Sequence, residues 1–122
     1  MIVRAATMAT LIVAASPAGA AEFRHLDGPA ISARFPGMDL TDEVHWRYTF
    51  RRDGTLPSTA LGRDRVGSWR VEEGRLCMRQ GPGMAECYAV WMSGTKVELR
   101  PDNEALPVEE GVLQRTQGRG RR

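Results

Sequence analysis

Between Val44 and Phe50 the chain alternates strictly. Val44, Trp46, Tyr48 and Phe50 are bulky, while His45, Arg47 and Thr49 between them are polar. A period of two sends successive side chains to opposite faces, so this stretch predicts a strand with one side in a core and the other in water. The alternation returns at Trp69 and Val71, at Leu76 and Met78, at Tyr88, Val90 and Met92, and at Val97 and Leu99. A last short strand includes Val112 and Leu113. Turn signals separate these runs: Asp53-Gly54, Glu73-Gly74, Gly81-Pro82-Gly83, Ser93-Gly94 and Pro101-Asp102-Asn103. Thr55-Leu56 starts a return strand that Pro57 is expected to cut short, leaving Ser58 to Arg65 as a loop. Gly67 marks a bulge or a close backbone approach.

One segment carries a helical pattern instead. Asp27 is placed to accept from first-turn backbone N–H groups, Pro29 suits a first-turn position, and Ile31 and Phe35 form an apolar i, i+4 pair before Pro36-Gly37 stops the helix. At about eight residues such a helix is not stable alone in water. Leu26, Ile31 and Phe35 must therefore pack on the sheet, plugging one face or end of it. About six short strands at intervals of about 8 to 12 residues predict a mainly β fold. Its form is an antiparallel meander curling into a small half-open or closed barrel, with one short N-terminal helix. The alternative is an α+β layer of helix on flat antiparallel sheet.

Composition changes this picture chiefly at the two ends. Met1 to Arg4 is a short charged start, Ala5 to Ala15 is mostly apolar, and Ala18-Gly19-Ala20 has the small-x-small form of a signal peptidase site. The apolar run is well short of the roughly 20 residues that span a bilayer. Residues 1–20 are thus expected to be a signal peptide, with cleavage after Ala20, export to the periplasm or beyond and no stable membrane anchor afterwards. Residues 21–114 form a single β-rich domain, and 115–122, with Arg115, Arg119, Arg121 and Arg122, form a disordered basic tail. Loss of Arg4 leaves 16 of the 17 basic residues against 15 acidic ones, a balance that argues against a nucleic-acid partner.

Phe50-x-x-Asp53-Gly54, Gly67-x-Trp69-x-Val71, Leu76-Cys77 and Cys87-Tyr88-x-Val90 together resemble a group of small exported bacterial proteins, a domain of unknown function. The resemblance spans roughly Leu26 to Leu99 and implies an exported β-rich fold. Its matching positions are turn glycines, core aromatics and a cysteine pair, and it implies no catalytic residues.

The candidate chemistry is sparse. With a hairpin turn centred on Pro82, Cys77 and Cys87 face each other on neighbouring strands, which predicts a structural disulfide in an oxidising compartment. Their spacing suits neither a redox Cys-x-x-Cys pair nor a zinc site. His25 and His45 are the only histidines. Arg47, Arg63 and Arg65, joined by Arg51-Arg52, are a candidate anion-binding rim. Trp91 shares its strand face with Cys87 and Ala89, opposite Tyr88, Val90 and Met92, and is a candidate cover for the disulfide or a contact site. With no catalytic, cofactor or metal residues evident, the leading expectation is a periplasmic binding or accessory module for an envelope protein or small ligand. Two alternatives stand beside it. One is a small enzyme with a site near His45, with Glu43 or Asp42, between helix and sheet. The other is a metal-binding accessory protein using Met84, Met92 and a histidine.

Overall fold

Each hairpin turn returns the chain beside the strand it has just left, and the last strand comes back to the first of the meander. In the computed structural model, which describes residues 2–13 and 22–117, the strands are β1 (Arg24–Leu26), β2 (Met38–Thr41), β3 (Trp46–Phe50), β4 (Thr55–Ala60), β5 (Arg63–Glu72), β6 (Arg75–Arg79), β7 (Glu86–Ser93), β8 (Lys96–Pro101) and β9 (Glu109–Arg115). Helix α1 (Gly28–Arg34) lies between β1 and β2. Strands β2 to β9 pair in sequence and β9 pairs with β2, closing an antiparallel barrel of eight strands. The flat helix-on-sheet alternative is thereby excluded. Closure leaves no exposed edge in the meander. The short β1 pairs with Val90–Met92 of β7, beyond the part of that strand held by β6.

Helix α1 plugs one end of the barrel. The Asp27 carboxylate accepts from the Ala30 N–H at 2.9 Å, Pro29 occupies the first turn, and Gly37, at φ 79°, breaks the helix and donates to the Phe50 carbonyl. Ile31 and Phe35 are fully buried, and Phe35 meets the Phe50 ring edge-on at 5.1 Å. Phe50 in turn meets Trp69 at 5.4 Å. Burying such side chains contributes about 2 to 3 kcal/mol each, which is how a helix of seven residues persists. Leu40, Leu56, Leu76, Val90, Val97 and Leu99 fill the barrel above the plug.

Several local expectations are corrected. Pro57 does not end its strand: β4 runs on to Ala60, and the β3–β4 register stops at Tyr48↔Ser58, next to the proline that has no N–H to give. The expected loop from Ser58 to Arg65 is instead a tight hairpin turning at Leu61-Gly62, both with positive φ. Val44 belongs to a loop and is exposed, because β3 begins only at Trp46. Arg115 is the final residue of β9 rather than the start of a tail, since its strand is held by β2 through Met38↔Arg115. The cleavage site after Ala20 and the arginines at 119, 121 and 122 lie outside the described residues.

Gly67 is a close backbone approach. A Cβ there would stand 1.7 Å from the Arg79 carbonyl oxygen. Cys77 and Cys87 are directly opposed on β6 and β7 and joined by a disulfide.

Candidate functional site at the open end of the barrel

Among the described residues no element plugs the end opposite α1, and there the interior changes from apolar to polar. On β9, Leu113 faces inward, so Gly111 and Glu109, two and four residues earlier, share its face. Glu109 therefore projects a carboxyl group between the walls at the open end. The Tyr48 hydroxyl on β3 donates to Glu109 Oε1 at 3.0 Å, and Gln80 Nε2, just past β6, donates to the Tyr48 oxygen at 3.0 Å. The Tyr88 hydroxyl on β7 approaches the same carboxyl. Glu109 Oε2 is buried and makes no well-formed hydrogen bond.

The environment alters the acidity of all three groups. Burial pushes the Glu109 carboxyl above its ordinary value, against the opposing hydrogen bonds of Tyr48 and Tyr88. Burial, then the neighbouring negative charges of Glu109 and Glu86, pushes Tyr88 up to about 12. Tyr48 is raised further by burial and by Glu109. Burial thus shifts the balance at Glu109 towards its protonated form, and both phenols hold their protons to higher pH than a free tyrosine does.

A cavity of about 330 Å³ opens beside this cluster, lined by Ser58, Ala60, Leu61, Arg63, Arg65 and Gln80. Ser58 pairs with Arg65 and Ala60 with Arg63 across the β4–β5 hairpin, so these side chains start on its inward face. Gln80 connects the cavity to Tyr48 and, through it, to Glu109. The Trp46 ring, 4.9 Å from Tyr48, lies against Gly111, where an added Cβ would stand 2.8 Å from it.

The loops of this end carry an unusual load of apolar tips. Among residues 22–117 the exposed large hydrophobics are Val44, Leu61, Val66, Met84, Leu106 and Val108. All but Val66 stand on the four connections of the open end. Leu61 is 83% exposed and holds a left-handed φ of 51°, a backbone region that leucine adopts only at a cost.

The sequence-derived site residues are distributed over different surfaces. Arg63 is at the mouth. Arg47 lines a separate groove on the outside of β3, β4 and β5, and Arg65 borders both the groove and the mouth. Trp91 belongs to neither, for it stands outward on β7 with the Arg100 guanidinium 4.1 Å above its ring and His25 5.2 Å away. The Arg100 guanidinium thus covers one face of the ring from its own chain. His45 is not between helix and sheet: it precedes β3 at the open end, one strand length from Phe50 and the plug. There His45 Nδ1 donates to Asp42 Oδ2 at 2.8 Å, while Asp42 Oδ1 accepts the backbone N–H groups of Val44, His45 and Trp46. Partial desolvation raises the Asp42 pKa, but these donors outweigh it and hold the carboxylate well below its usual range. The arrangement is a loop clamp, with the imidazole two-thirds exposed. Met84 precedes β7 and is exposed, whereas Met92 is buried near the far end of that strand, so the two do not converge.

Tyr48 and Tyr88 are legible in the sequence as inward residues, but only as core. Glu109 and Gln80 carry no motif. Running the alternation back from Leu113 through Gly111 is the one signal that places an acid inside the barrel. No protein-family model, no curated protein and no solved structure matches this chain.

Proposed function

We propose that the protein is an exported binding module that takes a small amphipathic molecule into the open end of its barrel, polar head inward. The observation that carries this reading is the Glu109 carboxyl: raised in pKa, held by Tyr48, approached by Tyr88, and with one buried oxygen that makes no well-formed hydrogen bond. A buried polar atom without a partner is unfavourable by about 1 to 3 kcal/mol, and a ligand hydroxyl or amine would supply the missing bond. Small eight-stranded barrels hold either packed side chains or one small ligand, and this cavity is at the lower end of the volumes that take small molecules. The exposed Leu61 and Met84 would cover the apolar part of such a guest. Export to the periplasm is supported by the leader-like N-terminus, the disulfide and the resemblance to small exported bacterial proteins.

Native mass spectrometry of protein purified from the periplasm tests this reading. A bound species of discrete mass is expected in the wild type and is expected to be lost from Ala60→Trp, which fills the mouth. Wild-type protein of bare polypeptide mass, together with no uptake from an envelope lipid extract, would remove the reading.

A further inference from the structure

Beyond the barrel mouth, we infer that the outer face of β3, β4 and β5 is a docking groove for an extended acidic segment of a partner protein, one in which carboxylates are spaced by apolar residues. The groove encloses about 1020 Å³ and reaches from Gly37 and Arg52 near the plug to Thr59 and Asp64 at the β4–β5 hairpin. Four arginines line it, Arg47, Arg51, Arg52 and Arg65, against Asp39, Asp53 and Asp64.

The ion pairing within the groove is uneven. Asp39 is almost fully buried and satisfied, accepting from Arg47 Nη1 at 2.7 Å and from the Thr116 hydroxyl at 2.8 Å. Asp53 is engaged by the Thr55 N–H and hydroxyl, and Asp64 by the Thr59 hydroxyl at 2.8 Å. Threonines, and not arginines, therefore hold two of the three carboxylates. Arg51, Arg52 and Arg65 make no ion pair among the described residues. Arg51 and Arg52 thus border the trough with no carboxylate on their guanidinium groups, and Arg65, whose Cδ lies near Gly81, borders it from the side of the mouth.

Two features select the occupant. The trough is open and long, which suits an extended chain better than a compact ion. Asp53 and Asp64 place two carboxyl groups within it, so a densely charged polyphosphate meets repulsion where carboxylates placed opposite the arginines do not. Between the arginines the floor is Pro57 and the exposed Val66, paired across β4 and β5, which offers apolar contact to the residues between those carboxylates. Thr116 and Gln117 border the groove at the end of the described chain.

Fluorescence anisotropy with a labelled peptide of alternating glutamate and valine tests the inference on the full chain. Saturable binding is expected at about 0.05 M salt, weakening steeply by about 0.3 M. The triple variant Arg51→Ala, Arg52→Ala, Arg65→Ala is expected to weaken it about tenfold or more, whereas Arg34→Ala, Arg70→Ala, Arg100→Ala, with the same change in charge on other surfaces, leaves it within about twofold. Equal loss in both triple variants would overturn the groove as the site. Pyrophosphate displacing the peptide at micromolar concentration, or polyglutamate binding as tightly as the alternating peptide, would overturn the class of partner. Arg65 also lines the barrel mouth, so the double variant Arg51→Ala, Arg52→Ala, which leaves the mouth lining intact, separates the two sites. It is expected to keep most of the loss, and peptide binding unchanged in it would overturn the groove as the site.

Discussion

The Tyr48 hydroxyl donates to Glu109 Oε1 at 3.0 Å, joining β3 to β9 across 61 residues of chain. The bond sits at the level where the barrel interior turns from aliphatic to polar, and Gln80 completes it by donating to the same hydroxyl. Tyr48→Phe removes one donor and one acceptor while keeping the ring that packs on Trp46. Glu109 and Gln80 are then left unsatisfied, and a loss of about 1 to 3 kcal/mol is expected in urea denaturation.

The pH dependence of stability has a definite sign. The folded state raises the Glu109 pKa above its ordinary 4.5, so it holds the proton to higher pH than the unfolded chain does. The stabilisation this provides is fully present below about pH 4.5 and is lost as pH rises through the folded value. Glu109→Gln lacks this titration. The stability of wild type relative to Glu109→Gln is therefore expected to fall between about pH 4 and pH 8, and thermal unfolding at both pH values measures it.

Tyr48 and Tyr88 are the only tyrosines, so phenolate absorbance reports on them alone. Both are raised, Tyr88 to about 12, and by the same sign rule their protonated forms stabilise the fold until pH passes through those values. Little phenolate signal is expected from the folded protein at about pH 10.5, whereas the urea-unfolded chain is expected to titrate near pH 10.

Two glycines separate a rigid contact from a yielding one. At Gly67 an added methyl would strike the Arg79 carbonyl at 1.7 Å, and neither strand can retreat without breaking its ladder. At Gly111 the nearest atoms are the far end of the Trp46 side chain at 2.8 Å and the Thr41 carbonyl oxygen at 3.0 Å, so the closest clash falls on a side chain and the backbone contact is far looser than at Gly67. Gly67→Ala is expected to abolish folding or lower stability by about 3 kcal/mol or more, and Gly111→Ala by about 1 to 2 kcal/mol, measured by denaturant titration of each variant.

The disulfide closes a loop with a sequence separation of 10. Removing it in the double variant Cys77→Ala, Cys87→Ala is expected to lower stability by about 2 to 3 kcal/mol without changing the barrel, as read from the urea midpoint and the far-ultraviolet spectrum.

The elements that the sequence makes legible are those in which a local rule and the tertiary structure agree. Asp27, Pro29 and Phe35 bound the helix because capping, a missing donor and an apolar pair all act within one turn. Tyr88, Val90 and Met92 point inward as alternation requires, and Cys77 meets Cys87 because the hairpin turn sets their register. Barrel closure is decided elsewhere, by β9 returning to β2 over more than 60 residues, which no local pattern encodes. Pro57 misleads because its missing donor looks like a strand end, when the neighbouring ladder simply stops beside it. The site is less legible than the fold. Glu109 lies in an Asp- and Glu-rich stretch that resembles any solvated loop, and its inward direction follows only from Leu113 four residues later. Trp91 stands out as a solitary aromatic on an outward face until Arg100 and His25 are seen against it.

The central claim is that the open end binds an amphipathic guest through Glu109. N-phenyl-1-naphthylamine, with an aromatic body and a single N–H donor, is the probe that tests it most directly, because its emission rises on leaving water. Wild-type protein is expected to give saturable, single-site enhancement, weakened about fivefold to tenfold by Glu109→Gln and abolished by Ala60→Trp, with Arg47→Ala unchanged. A wild-type titration that rises linearly without saturation, or one that Ala60→Trp leaves intact, would contradict binding at the barrel mouth.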